Sequence, residues 1–250
     1  MPVTIFWTLI DRSQLPVREP GSWLSVGECQ KLTTLRFAKR REEWLLGRWA
    51  AKSLARTMPG FHGYALSDLE VRNSADGSPQ LFRSSGDPFP VWLSLSHREG
   101  QALAGMTFGS SLRIGVDLEM IESHPDEFIR DYFTAGECAW LASSSAADRD
   151  FVGSLIWSTK ESMLKALQVG LRWDTRRVEV FAPGDFGSTS PSGLPWQRIR
   201  IRESVPTSRQ WAAWWQRRRN LLMTIAGMSV SAADLESVEF EEHSLKDIQS

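Results

Sequence analysis

Ser25-Val26-Gly27-Glu28-Cys29-Gln30-Lys31-Leu32 is echoed 109 residues later by Thr134-Ala135-Gly136-Glu137-Cys138-Ala139-Trp140-Leu141. In each stretch a Ser or Thr hydroxyl can accept the N–H three residues on, while the Glu reaches back to the cap's own N–H, so each starts a helix. The same offset, within one residue, relates Trp49-x-x-Lys52 to Trp157-x-x-Lys160, Leu69-Glu70-Val71 to Val178-Glu179-Val180, and Ile5 to Ile114. Four pairs in register point to an internal duplication. The expected organisation is an N-terminal half at 1–109, a C-terminal half at 110–228 and a polar tail at 229–250.

Working outward, each half reads as an edge-like strand, a capped helix, a longer helix and then strands. The long helices fall at 40–56 and 151–168, and the expected strands include 3–10, 69–72, 91–95, 113–119, 177–181, 196–202 and 221–228. Strands that outnumber and follow the helices give an α+β class, with a pseudo-two-fold pair of halves, each a long helix on an antiparallel sheet. Stretches 73–87 and 183–195 are rich in Gly, Ser and Pro and read as surface loops.

The 250 residues suffice for one large domain or two small ones, and 42% hydrophobic with 24% charged residues is ordinary globular composition. A membrane span needs about 20 consecutive apolar residues, whereas the longest candidate, 221–230, contains Thr224, Gly227 and Ser229. The N-terminus lacks the basic start of a secretory signal, and two cysteines are too few for a disulfide scaffold. The expectation is a soluble, cytoplasmic protein that acts as a monomer. Twenty-nine cations against 30 acids, a net charge of −1, argue against general nucleic-acid binding.

Four features carry chemistry. Gly115-Val116-Asp117-Leu118-Glu119 lies on an expected strand, where alternation puts Asp117 and Glu119 on one face and Val116 and Leu118 on the core side. Simple solvent exposure would explain both acids equally well. In Trp157-Ser158-Thr159-Lys160-Glu161-Ser162-Met163-Leu164-Lys165, Glu161 and Lys165 are i, i+4 neighbours on a helix that should face the core. The first half's long helix carries Arg48, Lys52 and Arg56 every four residues, a solvated basic face or a phosphate-binding one. His97 ends the alternating stretch Leu93-Ser94-Leu95-Ser96-His97, placed in a loop where it either contacts a phosphate or is merely exposed. Asp117, Glu119 and Glu161 can together make a hard oxygen site for Mg²⁺, which binds through a few carboxylates plus substrate phosphates. At the matching first-half positions stand Thr8, Ile10 and Ser53, so the acids belong to the second copy alone. This asymmetry points to a cleft between the halves.

Taken together, these motifs resemble the 4′-phosphopantetheinyl transferase superfamily, in its two-half, Sfp-like branch. Supporting pieces are Phe128-Ile129-Arg130-Asp131-Tyr132-Phe133-Thr134 with Glu137, and Trp44-Leu45-Leu46-Gly47-Arg48. The resemblance implies Mg²⁺-dependent transfer of the phosphopantetheine arm of coenzyme A to a serine of an acyl, polyketide or peptidyl carrier protein, with release of 3′,5′-ADP. By the same resemblance Asp117, Glu119 and Glu161 are metal ligands, Glu161 is also the base, and Lys165 stabilises charge on the breaking pyrophosphate. His97, Arg48 and Lys52 would contact the coenzyme's phosphates. Two departures stand out: Gly77-Ser78-Pro79 lacks a lysine that the family often has there, and Ser162 replaces a usual alanine. Two rivals remain. Ser162-x-x-Lys165 fits the nucleophile motif of penicillin-recognising hydrolases, without the Lys-Thr-Gly or Ser-Asp-Asn that should follow. A non-catalytic carrier-protein or coenzyme A binding module would share the fold.

Overall fold

A computed structural model describes residues 2–17, 19–109, 112–181, 195–203 and 208–244. The chain divides into two compact units, 1–110 with 238–250, and 111–237. Both are mixed α+β. Among the described residues, no helix is long and apolar enough to cross a membrane.

In the first unit, β1 (Val3–Asp11) pairs antiparallel with β5 (Gln101–Phe108), and β5 pairs with β4 (Val91–Arg98). Between β1 and β4 come α1 (Val26–Thr33), α2 (Ala38–Thr57) and a separate hairpin of β2 (Leu69–Asn73) and β3 (Pro79–Arg83). Helix α2 buries Leu46, Trp49, Ala50 and Leu54 against Ile10, Leu93, Ala102, Ala104 and Met106 of the sheet. Facing alanines let helix and sheet approach closely, and Trp23 meets Trp49 edge-on at 5.3 Å beside them.

The second unit holds β6 (Arg113–Met120), α3 (Asp126–Tyr132), α4 (Ala135–Ser143) and α5 (Arg149–Leu167). After them come β7 (Val178–Phe181), β8 (Gln197–Glu203), β9 (Gln210–Arg218), β10 (Leu221–Ser229) and the short α6 (Ala233–Glu236). Its five strands run in the order β6-β10-β9-β8-β7, each pair antiparallel. Helix α5 packs Leu155, Ile156 and Met163 onto Val180, Ile199, Ala213 and Leu222.

Both capping boxes form, and each does more than start a helix. The Ser25 hydroxyl accepts the Glu28 N–H at 3.1 Å, Glu28 Oε2 accepts the Ser25 N–H at 3.0 Å, and Oε1 accepts the Val71 N–H at 2.9 Å. In the second unit Thr134 accepts from Glu137 at 3.2 Å, while Glu137 accepts from Thr134 at 2.7 Å and from Val180 at 2.8 Å. A buried lysine of the long helix closes each arrangement: Lys52 on Glu28, and Lys160 on Glu137 at 2.9 Å. One carboxylate thus ties the capped helix, the long helix and a strand, β2 or β7, together in each unit.

Three expectations are corrected. The stretch at 229–250 is not a simple polar tail: besides α6 it supplies β11 (Val238–Glu242), which pairs in parallel with the edge of β1. Its alternation Val238-Glu239-Phe240-Glu241 turns Val238 and Phe240 inward, a period-2 signal too short to stand out among acids. Within the expected loop 73–87, Pro79–Arg83 forms β3, with Gly77 at φ +93° turning the chain before it. His97 lies inside β4 opposite Ala102, because the hairpin turn falls later, at Glu99 and Gly100, both at positive φ. Residues 183–194 of the other expected loop lie outside the described residues.

Candidate functional site

Gly115 decides where α5 sits on β6. A Cβ there would stand 1.9 Å from the Ser162 carbonyl oxygen and 2.6 Å from the Ala166 nitrogen, so only glycine admits the helix this close. The approach brings one face of α5, at positions 158, 161 and 165, over Asp117, which shares Gly115's side of the strand. Lys165 Nζ donates to Asp117 Oδ1 at 2.7 Å and to the Val116 carbonyl at 3.1 Å. Ser158 Oγ donates to Asp117 Oδ2 at 2.8 Å, and Thr224 on β10 lies 2.9 Å from that hydroxyl. Asp117 is only 3% exposed, which excludes simple solvation. Val116 and Leu118 on the opposite face are buried as well, so β6 has no wet face here.

Glu161 faces the same group. Burial raises its carboxyl above the usual range, the Asp117 charge raises it further, and Lys165 opposes both. Its Oε1 is buried without a hydrogen-bond partner. A cation between Asp117 and Glu161 would satisfy that oxygen and reverse the push on the carboxyl. Glu119 follows on the same face of β6, half-buried. Among the described residues no three acidic, imidazole or thiol groups are already gathered as a ligand set. The donor set nevertheless fits Mg²⁺, which takes one or two carboxylates and completes its shell with water and substrate phosphate oxygens.

In the first unit a cavity of about 750 Å³ gathers Arg48 and His97 with Gly77 and Pro79. Lys39, Arg40, Trp44 and Asn73 line it too. Arg48 stacks on Trp44 at 4.2 Å and donates to Asn73 Oδ1 at 3.1 Å, while its Nε is buried without a partner. Burial lowers its guanidinium to about 10, so it remains charged at neutral pH. His97 is exposed at the rim.

Lys52, expected at a phosphate, is elsewhere. Its side chain is fully buried, paired with Glu28 and donating to the Trp23 carbonyl at 2.9 Å. The every-fourth-residue basic stripe is therefore broken at Lys52, which lies in the core while Arg48 and Arg56 are half-buried. The serine-nucleophile reading also fails: Ser162 is fully buried and donates to the Thr159 carbonyl at 2.8 Å. Missed outright were Ser158 as the partner of Asp117 and Thr224 as the partner of Ser158. The available signal was a hydroxyl residue at each of two otherwise apolar core positions.

Comparison with known proteins bears on one part of the chain. A holo-[acyl-carrier-protein] synthase of Streptococcus sanguinis (strain SK36) is 40% identical over 72 residues, which is 27% of this chain. The match spans 58% of the length of that relative. Among solved structures, a holo-(acyl-carrier-protein) synthase from Bacillus anthracis str. Ames in complex with CoA (3′,5′-ADP) shares 24% identity, covering 41% of this chain and 92% of its own, with a TM-score of 0.34. The corresponding enzyme of Thermotoga maritima shares 23% identity over 54% of this chain and 76% of its own, with a TM-score of 0.33. The model of the 4′-phosphopantetheinyl transferase superfamily matches residues 113–226, the segment that begins with the strand of Asp117 and ends on the strand of Thr224.

Proposed function

We propose that this protein transfers the 4′-phosphopantetheine moiety of coenzyme A to a serine hydroxyl of an acyl, polyketide or peptidyl carrier protein, releasing 3′,5′-ADP. The observation that carries the reading is the group Asp117, Glu161 and Lys165, assembled on facing sides of β6 and α5 within the segment that matches the superfamily.

In the reaction the serine oxygen bonds to the phosphorus that bears the pantetheine arm, the pyrophosphate bridge breaks, and its oxygen leaves on 3′,5′-ADP. Such transfer depends mainly on positioning and on neutralising charge at the phosphates. Asp117 and Glu161, with Glu119, would hold Mg²⁺, which supplies charge neutralisation at the phosphate oxygens. Glu161 accepts the serine proton, directly or through a water, and Lys165 turns its ammonium toward the pyrophosphate as negative charge gathers there. Arg48 and His97 hold phosphate groups of the coenzyme in the first unit's cavity. Arg40 and Lys39 on its wall offer cations in place of the lysine absent at Ser78.

Incubation with coenzyme A, Mg²⁺ and an apo carrier protein tests this directly. The expected result is a carrier mass increased by one phosphopantetheine. If coenzyme A binds and none of the organism's carriers gains mass, the protein is a binding module of the same fold.

A further inference from the structure

Ser158 and Thr224 are both fully buried, at the centre of the interface between α5 and the sheet. Apolar side chains would fill that space without the desolvation cost of two hydroxyls. Thr224 Oγ1 lies 2.8 Å from the Ser158 carbonyl and 2.9 Å from Ser158 Oγ. With the Thr224 proton on the Ser158 carbonyl, the single Ser158 proton has two acceptors, Thr224 Oγ1 and Asp117 Oδ2, and the charged carboxylate at 2.8 Å takes it.

The first unit supplies an internal control. Register places Thr224 beside Asp117 on β10 and β6, and Ala104 beside Thr8 on β5 and β1. The Trp-x-x-Lys repeat aligns Ser158 with Ala50. Where the second unit has Asp117, Ser158 and Thr224, the first therefore has Thr8, Ala50 and Ala104, the two alanines fully buried. Two units with the same helix-on-sheet packing differ at all three positions together. The hydroxyls accompany the acid and are not required by the packing.

We infer that Ser158 and Thr224 are positioning residues: Thr224 holds Ser158, and Ser158 fixes one oxygen of Asp117, so that its carboxylate is presented to a divalent cation shared with Glu161. This rests on the reading of Asp117 and Glu161 as metal ligands. Groups that orient a ligand in this way are worth about 10- to 100-fold in metal affinity.

The test is Mn²⁺ binding to the purified protein without coenzyme A or carrier, read from the electron paramagnetic resonance signal of free Mn²⁺. Ser158→Ala should weaken binding about tenfold and Thr224→Val about three- to tenfold, whereas Thr224→Ser, which keeps the hydroxyl, should stay within about twofold of wild type. A purely structural role would lower the melting temperature without moving the affinity. Should Ser158→Ala fail to fold, the Thr224→Val and Thr224→Ser pair carries the comparison alone. Wild-type affinity in Ser158→Ala and Thr224→Val, or equal loss in Thr224→Val and Thr224→Ser, overturns the positioning role and leaves the metal reading standing. A wild-type protein that binds no Mn²⁺ overturns both.

Discussion

Replacing Lys52 by methionine separates two readings of the first unit's long helix. Were Lys52 a phosphate contact, Lys52→Met would weaken coenzyme A binding and leave the fold alone. Instead its ammonium meets Glu28 and the Trp23 carbonyl with both side chains buried, at 0% and 2% exposed. Methionine has a similar length and fills the space, so the loss is electrostatic and not a cavity. It leaves the Glu28 carboxylate buried without its paired ammonium, held by the N–H groups of Ser25 and Val71. Breaking one side of a buried pair costs about 3–5 kcal/mol. For a unit of this size that corresponds to a melting temperature lower by roughly 10–20 °C. Urea unfolding followed by circular dichroism measures the cost, and isothermal titration with coenzyme A measures binding below the transition. Adding Glu28→Gln, which removes the stranded charge and keeps an acceptor for Val71, should recover at least about 1 kcal/mol. An unchanged unfolding midpoint together with weaker coenzyme A binding would refute this account of Lys52.

Other outcomes follow from the same geometry. Arg48→Met should leave stability within about 1 kcal/mol, because relief of a buried charge offsets the lost stacking on Trp44, yet it should weaken pyrophosphate binding measured by titration. A large stability loss with unchanged binding would exchange the roles of Arg48 and Lys52. Gly115→Ala forces α5 away from β6 and should cost at least about 1–3 kcal/mol in urea unfolding. If its stability and transfer activity both match wild type, the close approach does not set the site. Ending the chain after Ser237 removes β11, together with the bonds from Thr8 Oγ1 to the His243 carbonyl at 2.6 Å and from the His243 N–H to the Trp7 carbonyl at 2.9 Å. The bare edge of β1 should make that form less stable and prone to self-association in sedimentation, whereas a monodisperse truncation with native melting would show β11 to be dispensable.

Much of the fold was legible because its signals are local. A capping box closes within four residues and strand alternation within two, so the helices at 26–33 and 135–143 and strand β6 are all visible in the sequence. Strand β11 was not, because a five-residue, glutamate-rich segment acquires its role only from an exposed edge of β1, more than 230 residues earlier. The candidate site divides in the same way. Asp117, Glu161 and Lys165 could be chosen from motif spacing, but Ser158 joins Asp117 across 41 residues and Thr224 joins Ser158 across 66, with no periodicity connecting them.

By itself the sequence determined two helix-starting boxes in register, an α+β succession in each half, and a pair of motif carboxylates confined to the second half. It could not assign roles to its lysines. Lys52 and Lys160, each three residues after a tryptophan, are buried counter-ions of the capping glutamates, while Lys165 lies part-exposed on Asp117. A charge does what its surroundings permit: desolvation demands a partner for a cation inside the core and leaves one at its boundary able to move to an incoming anion. Only the packing of α2 and α5 on their sheets decides which lysine lies inside and which at the boundary.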